Sequence, residues 1–193
     1  MRILVIGASG AGKSTLARSI SQAAGLPYVP TDHFYWQDDW QPAPEESVAE
    51  AVDLATLAGR WVLDGNFDDQ RHLVWSRATT VVWLDLPGRI TVARTVRRNL
   101  RYLITREPMW SGNRMNLRRF WSGVHHSLRS LGKKRRLYPA YLAQFPHLEV
   151  VRLRSPAQVK EWLAGFRQSI GDRSGGKGAA DENDNPSPDG GIA

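Results

Sequence analysis

A chain of 193 residues with 41% hydrophobic residues and a net charge of +7 has the size and composition of one folded domain. It contains no cysteine, which excludes disulfides, thiolate catalysis and cysteine-ligated zinc, and no apolar run approaches the roughly 20 residues of a membrane span. The charge is uneven: residues 89–136 carry fourteen Arg or Lys against Glu107, whereas residues 171–193 carry five acids against two bases.

In chain order, Ile3-Leu4-Val5-Ile6 marks a short buried strand over residues 2–6. Directly after it, Gly7-Ala8-Ser9-Gly10-Ala11-Gly12-Lys13-Ser14 satisfies the phosphate-loop pattern G-x-x-x-x-G-K-[ST] at every fixed position. It leads through Thr15 into a helix over residues 13–24 that Gly25 stops. Strand, loop and helix in that order are the context the motif requires. Glycines let successive backbone N–H groups turn toward one polyphosphate, and the positive end of the helix adds to the attraction. Gly7 through Thr15 are therefore the expected nucleotide cradle, with Lys13 reaching the β- and γ-phosphates and Ser14 ligating Mg²⁺. Because the loop follows Met1 so soon, a signal peptide has no room before it, and a cytoplasmic location is expected.

A second strand, residues 26–30, is bounded by Pro27 and Pro30 and is followed by Thr31-Asp32-His33-Phe34-Tyr35-Trp36. Asp32 then lies at a strand end, where ligands sit in parallel sheets, and can accept a proton from an acceptor hydroxyl or hold Mg²⁺ through water. Phe34, Tyr35, Trp36 and Trp40 supply either ring stacking on a ligand or packing for a small lid-like unit. A helix is expected over residues 45–57, with Val48, Ala51, Val52 and Ala55 at helical spacing. The third strand, residues 60–64, ends in Trp61-Val62-Leu63-Asp64, an apolar run closed by an acid, which makes Asp64 a candidate for the Mg²⁺ shell beside Ser14. A fourth strand over 79–84 ends at Asp85, where Pro87-Gly88 favours a plain turn.

Two basic helices follow, over residues 90–103 and 114–131. On the first, Arg94, Arg98 and Arg101 share a face. Residues between Arg106 and Arg114 read as a loop, so residues 104–118 form a candidate arginine lid over phosphate. A fifth strand covers 148–153. The last helix is opened by Ser155-Pro156-Ala157-Gln158, with Val159, Trp162, Leu163 and Phe166 on its buried stripe. A domain over 1–170 and a disordered acidic tail over 171–193 are expected. Near-continuous apolar strands separated by helices predict an α/β fold with a parallel sheet covered on both faces.

The phosphate loop, Asp32, Asp64-Gly65 and the arginine-rich helix leading to a lid together resemble the nucleoside and nucleotide kinase branch of P-loop NTPases. More narrowly, Thr31-Asp32 with Phe34 and Trp36, Trp61-Val62-Leu63-Asp64-Gly65-Asn66 and Val82-Trp83-Leu84-Asp85 resemble the adenylate-kinase-like group known as DNA topology modulation proteins. Trp110-Ser111-Gly112-Asn113-Arg114 is similar to the lid of that group. The resemblance spans residues 1–166. It implies a three-layer sandwich around a five-stranded parallel sheet of order 2-3-1-4-5, with ATP as donor and Mg²⁺ as cofactor. Site residues follow by the same resemblance: Lys13 and Ser14 at phosphate and metal, Asp32 facing the acceptor, and Arg98, Arg101 and Arg114 as phosphate-binding arginines. Adenylate kinases have Asp-Gly-Phe-Pro-Arg where this chain has Asp64-Gly65-Asn66-Phe67-Asp68, and related lids often have Glu where Met115 stands. Asp32-His33-Phe34-Tyr35 also resembles uridine-kinase-like enzymes, so the acceptor is open among nucleotides, nucleosides and other hydroxylated molecules.

Two readings stand beside the kinase. One is a nucleotide-regulated protein that binds nucleic acid through the basic block, in which Tyr102, Trp110, Phe120 and Trp121 are interleaved. The other is a nucleotide switch without an acceptor.

Overall fold

A computed structural model of the chain describes residues 1–175. Five parallel strands form one sheet: β1 (Arg2–Gly7), β2 (Tyr28–Pro30), β3 (Trp61–Asp64), β4 (Thr80–Leu84) and β5 (Glu149–Leu153). Their order is β2-β3-β1-β4-β5, which is the expected 2-3-1-4-5.

Side chains alternate across each strand, and this alternation builds two cores. Leu4 and Ile6 of β1, Trp61 and Leu63 of β3, and Val81 and Trp83 of β4 face one way. Ile3 and Val5, Val62, and Val82 and Leu84 face the other. The register agrees, since Leu4 pairs with Leu63 on one side and Val81 on the other. Of the helices, α1 (Lys13–Ala24) and α7 (Pro156–Gly175) cover the second face through Leu16, Ala17, Ile20, Trp162 and Phe166. The first face is covered by α3 (Glu45–Leu57), α4 (Arg71–Arg77) and the far half of α6 (Leu117–Leu142). Two further helices follow directly on the carboxyl ends of β2 and β4, the short α2 (Asp32–Tyr35) and the long α5 (Gly88–Thr105). No described helix is long and apolar enough to cross a membrane.

Three expectations need correction. The second basic helix does not end at Leu131; α6 continues to Leu142 through Gly132 and Pro139. Neither residue favours a helix, but Val124, Ser127, Lys134, Tyr138 and Leu142 form a buried stripe at helical spacing, and packing overrides propensity. Helix α4 was not anticipated; it is only seven residues long, and its buried pair Val74 and Trp75 is too short a pattern to reveal a period. The expected tail does not begin at 171, because α7 runs to Gly175; the rest of that tail, 176–193, lies outside the described residues. Ser155 does cap α7, accepting from the Gln158 amide at 3.2 Å, while the Gln158 side chain reaches back to the Arg154 amide at 2.7 Å.

Candidate active site

The phosphate loop joins β1 to α1 at the carboxyl end of the sheet. Gly12 caps α1 with a left-handed backbone (φ 97°). Gly10 (φ 76°) is needed twice over: a Cβ there would press into the Thr91 carbonyl and the Thr95 hydroxyl of α5. The loop is tied down from three sides. The Gly7 amide donates to Asn66 Oδ1 at 3.0 Å, just beyond β3. Arg94 and Arg98 of α5 donate to the Ala11 carbonyl at 3.3 Å and to Ser9 Oγ at 3.5 Å. Ser127 of α6 donates to the Ser9 carbonyl at 3.2 Å.

Lys13 Nζ lies at the mouth of the loop, 3.3 Å from the carbonyls of both Gly7 and Ala8. Burial pushes its pKa down, while the carboxylates of Asp32, Asp64 and Asp68 act to keep it charged. Asp32 opens α2 and also supports the charge of Arg98, which burial opposes. The structure therefore brings Asp32, Lys13 and Arg98 within electrostatic reach of one another.

Asp64 ends β3 and is 5% exposed. Its Oδ2 accepts from the Ser14 hydroxyl, and its Oδ1 accepts from the Tyr28 hydroxyl at 3.0 Å. Burial and the neighbouring carboxylate both push the Tyr28 phenol well above its ordinary pKa, so it remains a donor. Thr31 donates to the Asp64 backbone carbonyl, which joins the segment carrying Asp32 to the same strand end. The pair suits a hard divalent cation. With its proton engaged by Asp64, the Ser14 oxygen keeps lone pairs for a metal, and the carboxylate adds charge. Among the described residues no group of three His, Cys, Asp or Glu could form an all-protein metal cage. Such sparse oxygen donors match the way Mg²⁺ is held, chiefly by water and substrate phosphates.

The other predicted residues divide. Arg101, one turn beyond Arg98 on α5, pairs with Glu107 at 3.0 Å and is exposed. Arg114 is also exposed, and its described bond is through its carbonyl, which accepts from Trp40 Nε1 at 3.1 Å. Thr15 is exposed on the first turn of α1. Asp85 is consumed by structure: Arg135 meets one oxygen at 2.6 Å and Arg152 the other at 2.7 Å.

The stretch expected to be a lid, between α5 and α6, is latched to the aromatic segment after α2. Asn113 Oδ1 accepts from the Trp40 amide at 2.8 Å, and its Nδ2 donates to the carbonyls of Gln37 at 2.8 Å and Trp110 at 2.9 Å. Ser111 Oγ donates to the Trp36 carbonyl at 2.5 Å. Trp40 packs edge-on against both Trp36 and Trp110, and the Arg119 guanidinium lies 5.3 Å from its ring centre. Trp36 and Trp40 therefore serve packing between two loops, while Phe34 and Tyr35 pack on the first core.

Sequence reasoning did not single out Tyr28 or Lys134. Gly65 and Asn66 suggest a tight turn near the ligand, and Asn66 does stand beside the loop. Lys134 had no local signal: it is one base in a run of four over residues 133–136.

A scan against protein-family models finds no match. The chain is 32% identical over 95 residues to Uncharacterized protein YqaC of Bacillus subtilis (strain 168). That match covers 48% of this chain and 53% of the relative, so the chain spans about half the length of the curated protein it matches. Among solved structures it is similar to a gluconokinase from Sinorhizobium meliloti 1021, with TM-score 0.51 and 17% identity over 91% of this chain and 96% of that one. It is also similar to shikimate kinase from Aquifex aeolicus vf5, with TM-score 0.52 and 15% identity over 91% and 99%. At these identities the likeness is one of fold: the chain has the P-loop kinase fold.

Proposed function

We propose that the protein is an ATP- and Mg²⁺-dependent kinase that phosphorylates a hydroxyl of a small molecule. The observation that carries this reading is the convergence of Lys13, the Ser14–Asp64 pair and Asp32 at the carboxyl end of one parallel sheet. Loop amides and Lys13 bind the donor's β- and γ-phosphates. Ser14, with Asp64 behind it, would hold Mg²⁺, which when bound neutralises charge on those phosphates. Arg98 adds a guanidinium from α5 for the charge that spreads over the transferring group. Asp32 orients the acceptor hydroxyl and takes its proton as the new P–O bond forms and the bond to the leaving ADP oxygen breaks. The resemblance to adenylate-kinase-like proteins and the gluconokinase and shikimate kinase folds support a phosphotransferase acting on a small acceptor.

The experiment is ADP release from Mg²⁺·ATP with a panel of hydroxylated acceptors. At least one acceptor is expected to raise turnover above the basal rate, and Lys13→Ala is expected to lower that turnover by about a hundredfold or more. Unchanged turnover in Lys13→Ala removes the mechanism.

One observation favours a second reading, nucleotide-regulated binding of nucleic acid. Trp121 of α6 is 66% exposed, and Arg118, Arg129, Lys133 and Arg136 on the same helix are exposed with it. Such a surface combines ring stacking with phosphate contacts. Retention on single-stranded DNA that falls steeply with salt and is lost in Trp121→Ala would support it.

A further inference from the structure

Lys134 is a buried cation that the proposed chemistry does not use. It is 9% exposed, on the inner stripe of α6 between Ser127 and Tyr138. A buried ammonium is costly unless it is paired and hydrogen-bonded. Its carboxylate partner, Asp68 Oδ2, is 3.9 Å away, which is too long for a hydrogen bond. Burial pushes its pKa down to about 8; Asp68 opposes that shift, while Lys13 and Lys133 reinforce it. Its other close contact is the face of the Tyr138 ring, whose centre lies 5.5 Å from Nζ.

Two more donors with spare capacity stand around Asp68. Tyr138, one helical turn from Lys134, is 1% exposed; its hydroxyl is directed at the Asp68 carboxylate, which with burial keeps the phenol protonated, and it makes no other hydrogen bond. Arg71 of α4 lies 3.7 Å over the Tyr141 ring and donates through Nη1 to the Asp68 carbonyl at 3.5 Å, while its Nε is buried without a partner. Lys134 and the Tyr138 phenol thus flank the Asp68 carboxylate while Arg71 stands at its backbone carbonyl, leaving an excess of positive charge and of N–H donors. The cluster is within electrostatic reach of Lys13. It reaches the site from α4 and α6, whereas Arg94 and Arg98 reach the loop from α5. An anion bound by Lys134 would therefore be held from α4 and α6, beside the loop after β3 that carries Asp68.

We infer that Lys134, with Tyr138 and Arg71, anchors an oxyanion carried by the acceptor, so that the substrate is a carboxylated or phosphorylated small molecule and not a neutral polyol or nucleoside. This deepens the kinase reading and rests on it. Lys134, Tyr138 and Arg71 outnumber the Asp68 carboxylate, which is half-exposed to solvent, and donors of mixed kinds recognise carboxylate and phosphate alike.

Three matched probes test it: glycerol 3-phosphate, glycerate and glycerol, each titrated calorimetrically into the full chain with and without saturating Mg²⁺ and a non-hydrolysable ATP analogue. One of the two anions is expected to bind at least about tenfold more tightly than glycerol, and which one does so identifies the oxyanion. Lys134→Met should lower that affinity by about tenfold or more, Lys134→Arg should restore much of it, and the exposed Lys133→Met should leave it intact. Lys134→Met should melt no lower than the parent, which separates a ligand anchor from a structural ion pair. Failure of both anions to outbind glycerol overturns the inference, as does anion affinity unchanged in Lys134→Met. Failure of the nucleotide analogue to bind strikes the kinase reading instead, and the nucleotide-free titrations still report on Lys134.

Discussion

Around the phosphate loop the chain engages its own polar groups: the Gly7 amide, the Ser9 hydroxyl and carbonyl, and the Ala11 carbonyl all have partners just beyond β3 or on α5 or α6. Around Asp68 it does the opposite: the Lys134 ammonium stands 3.9 Å from the carboxylate with no hydrogen bond to it, and Arg71 Nε is buried without a partner. A rigid, cross-braced loop suits a ligand whose shape never changes, the polyphosphate tail of a nucleotide. Unspent donors suit a ligand that must complete the site itself. The contrast separates what belongs to the fold from what belongs to the individual protein, because the loop is read from eight consecutive residues whereas the Asp68 cluster is assembled from two stretches, 68–71 and 134–138, distant in sequence.

The largest expected effect lies on the braced side. Gly10→Ala places a Cβ against the Thr91 carbonyl on a left-handed backbone, and should cost roughly 2–6 kcal/mol of stability in chemical denaturation. A variant as stable as the parent would mean that α5 does not clamp the loop.

A smaller effect is expected at the latch between the two loops. Asn113→Ala removes the Trp40 amide's partner and should weaken local protection by roughly 1–3 kcal/mol. In hydrogen exchange the Trp40 amide should then exchange faster while the phosphate-loop amides keep their parent rates. Equal exchange at Trp40 would show that the two loops are held by their tryptophans alone.

The subtlest effect is a pH dependence from the unbraced side. Lys134 has its pKa lowered from 10.5 to about 8, so between those values the unfolded chain holds a proton that the folded chain has lost. Stability therefore rises with pH across that window, and Lys13, also shifted down, contributes in the same direction. Denaturation at about pH 7.5 and about pH 9.5 should show the rise, and Lys134→Met should reduce it. An identical slope in Lys134→Met would mean that its ammonium is not buried in solution.

The same contrast explains what was legible in the sequence. Strand alternation in Ile3-Leu4-Val5-Ile6 and in Trp61-Val62-Leu63 is local, and it carries the sheet and its two cores. The loop is local as well. Arg98 and Arg101 look equivalent on a helical wheel, yet one meets Ser9 and the other Glu107, because only the packing of α5 decides which turn faces the loop. The far half of α6 was hidden by Gly132 and Pro139, and with it the burial that distinguishes Lys134 from Lys133. Residues whose role depends on a neighbour sixty or more positions away leave no mark on their own surroundings in the chain.

Calorimetric titration of the full chain with Mg²⁺·ATP, beside Lys13→Ala, tests the central claim most directly. Saturable one-to-one binding that weakens by at least about tenfold in Lys13→Ala is the predicted result. No heat of binding to the parent, or equal affinity in the variant, would contradict the account.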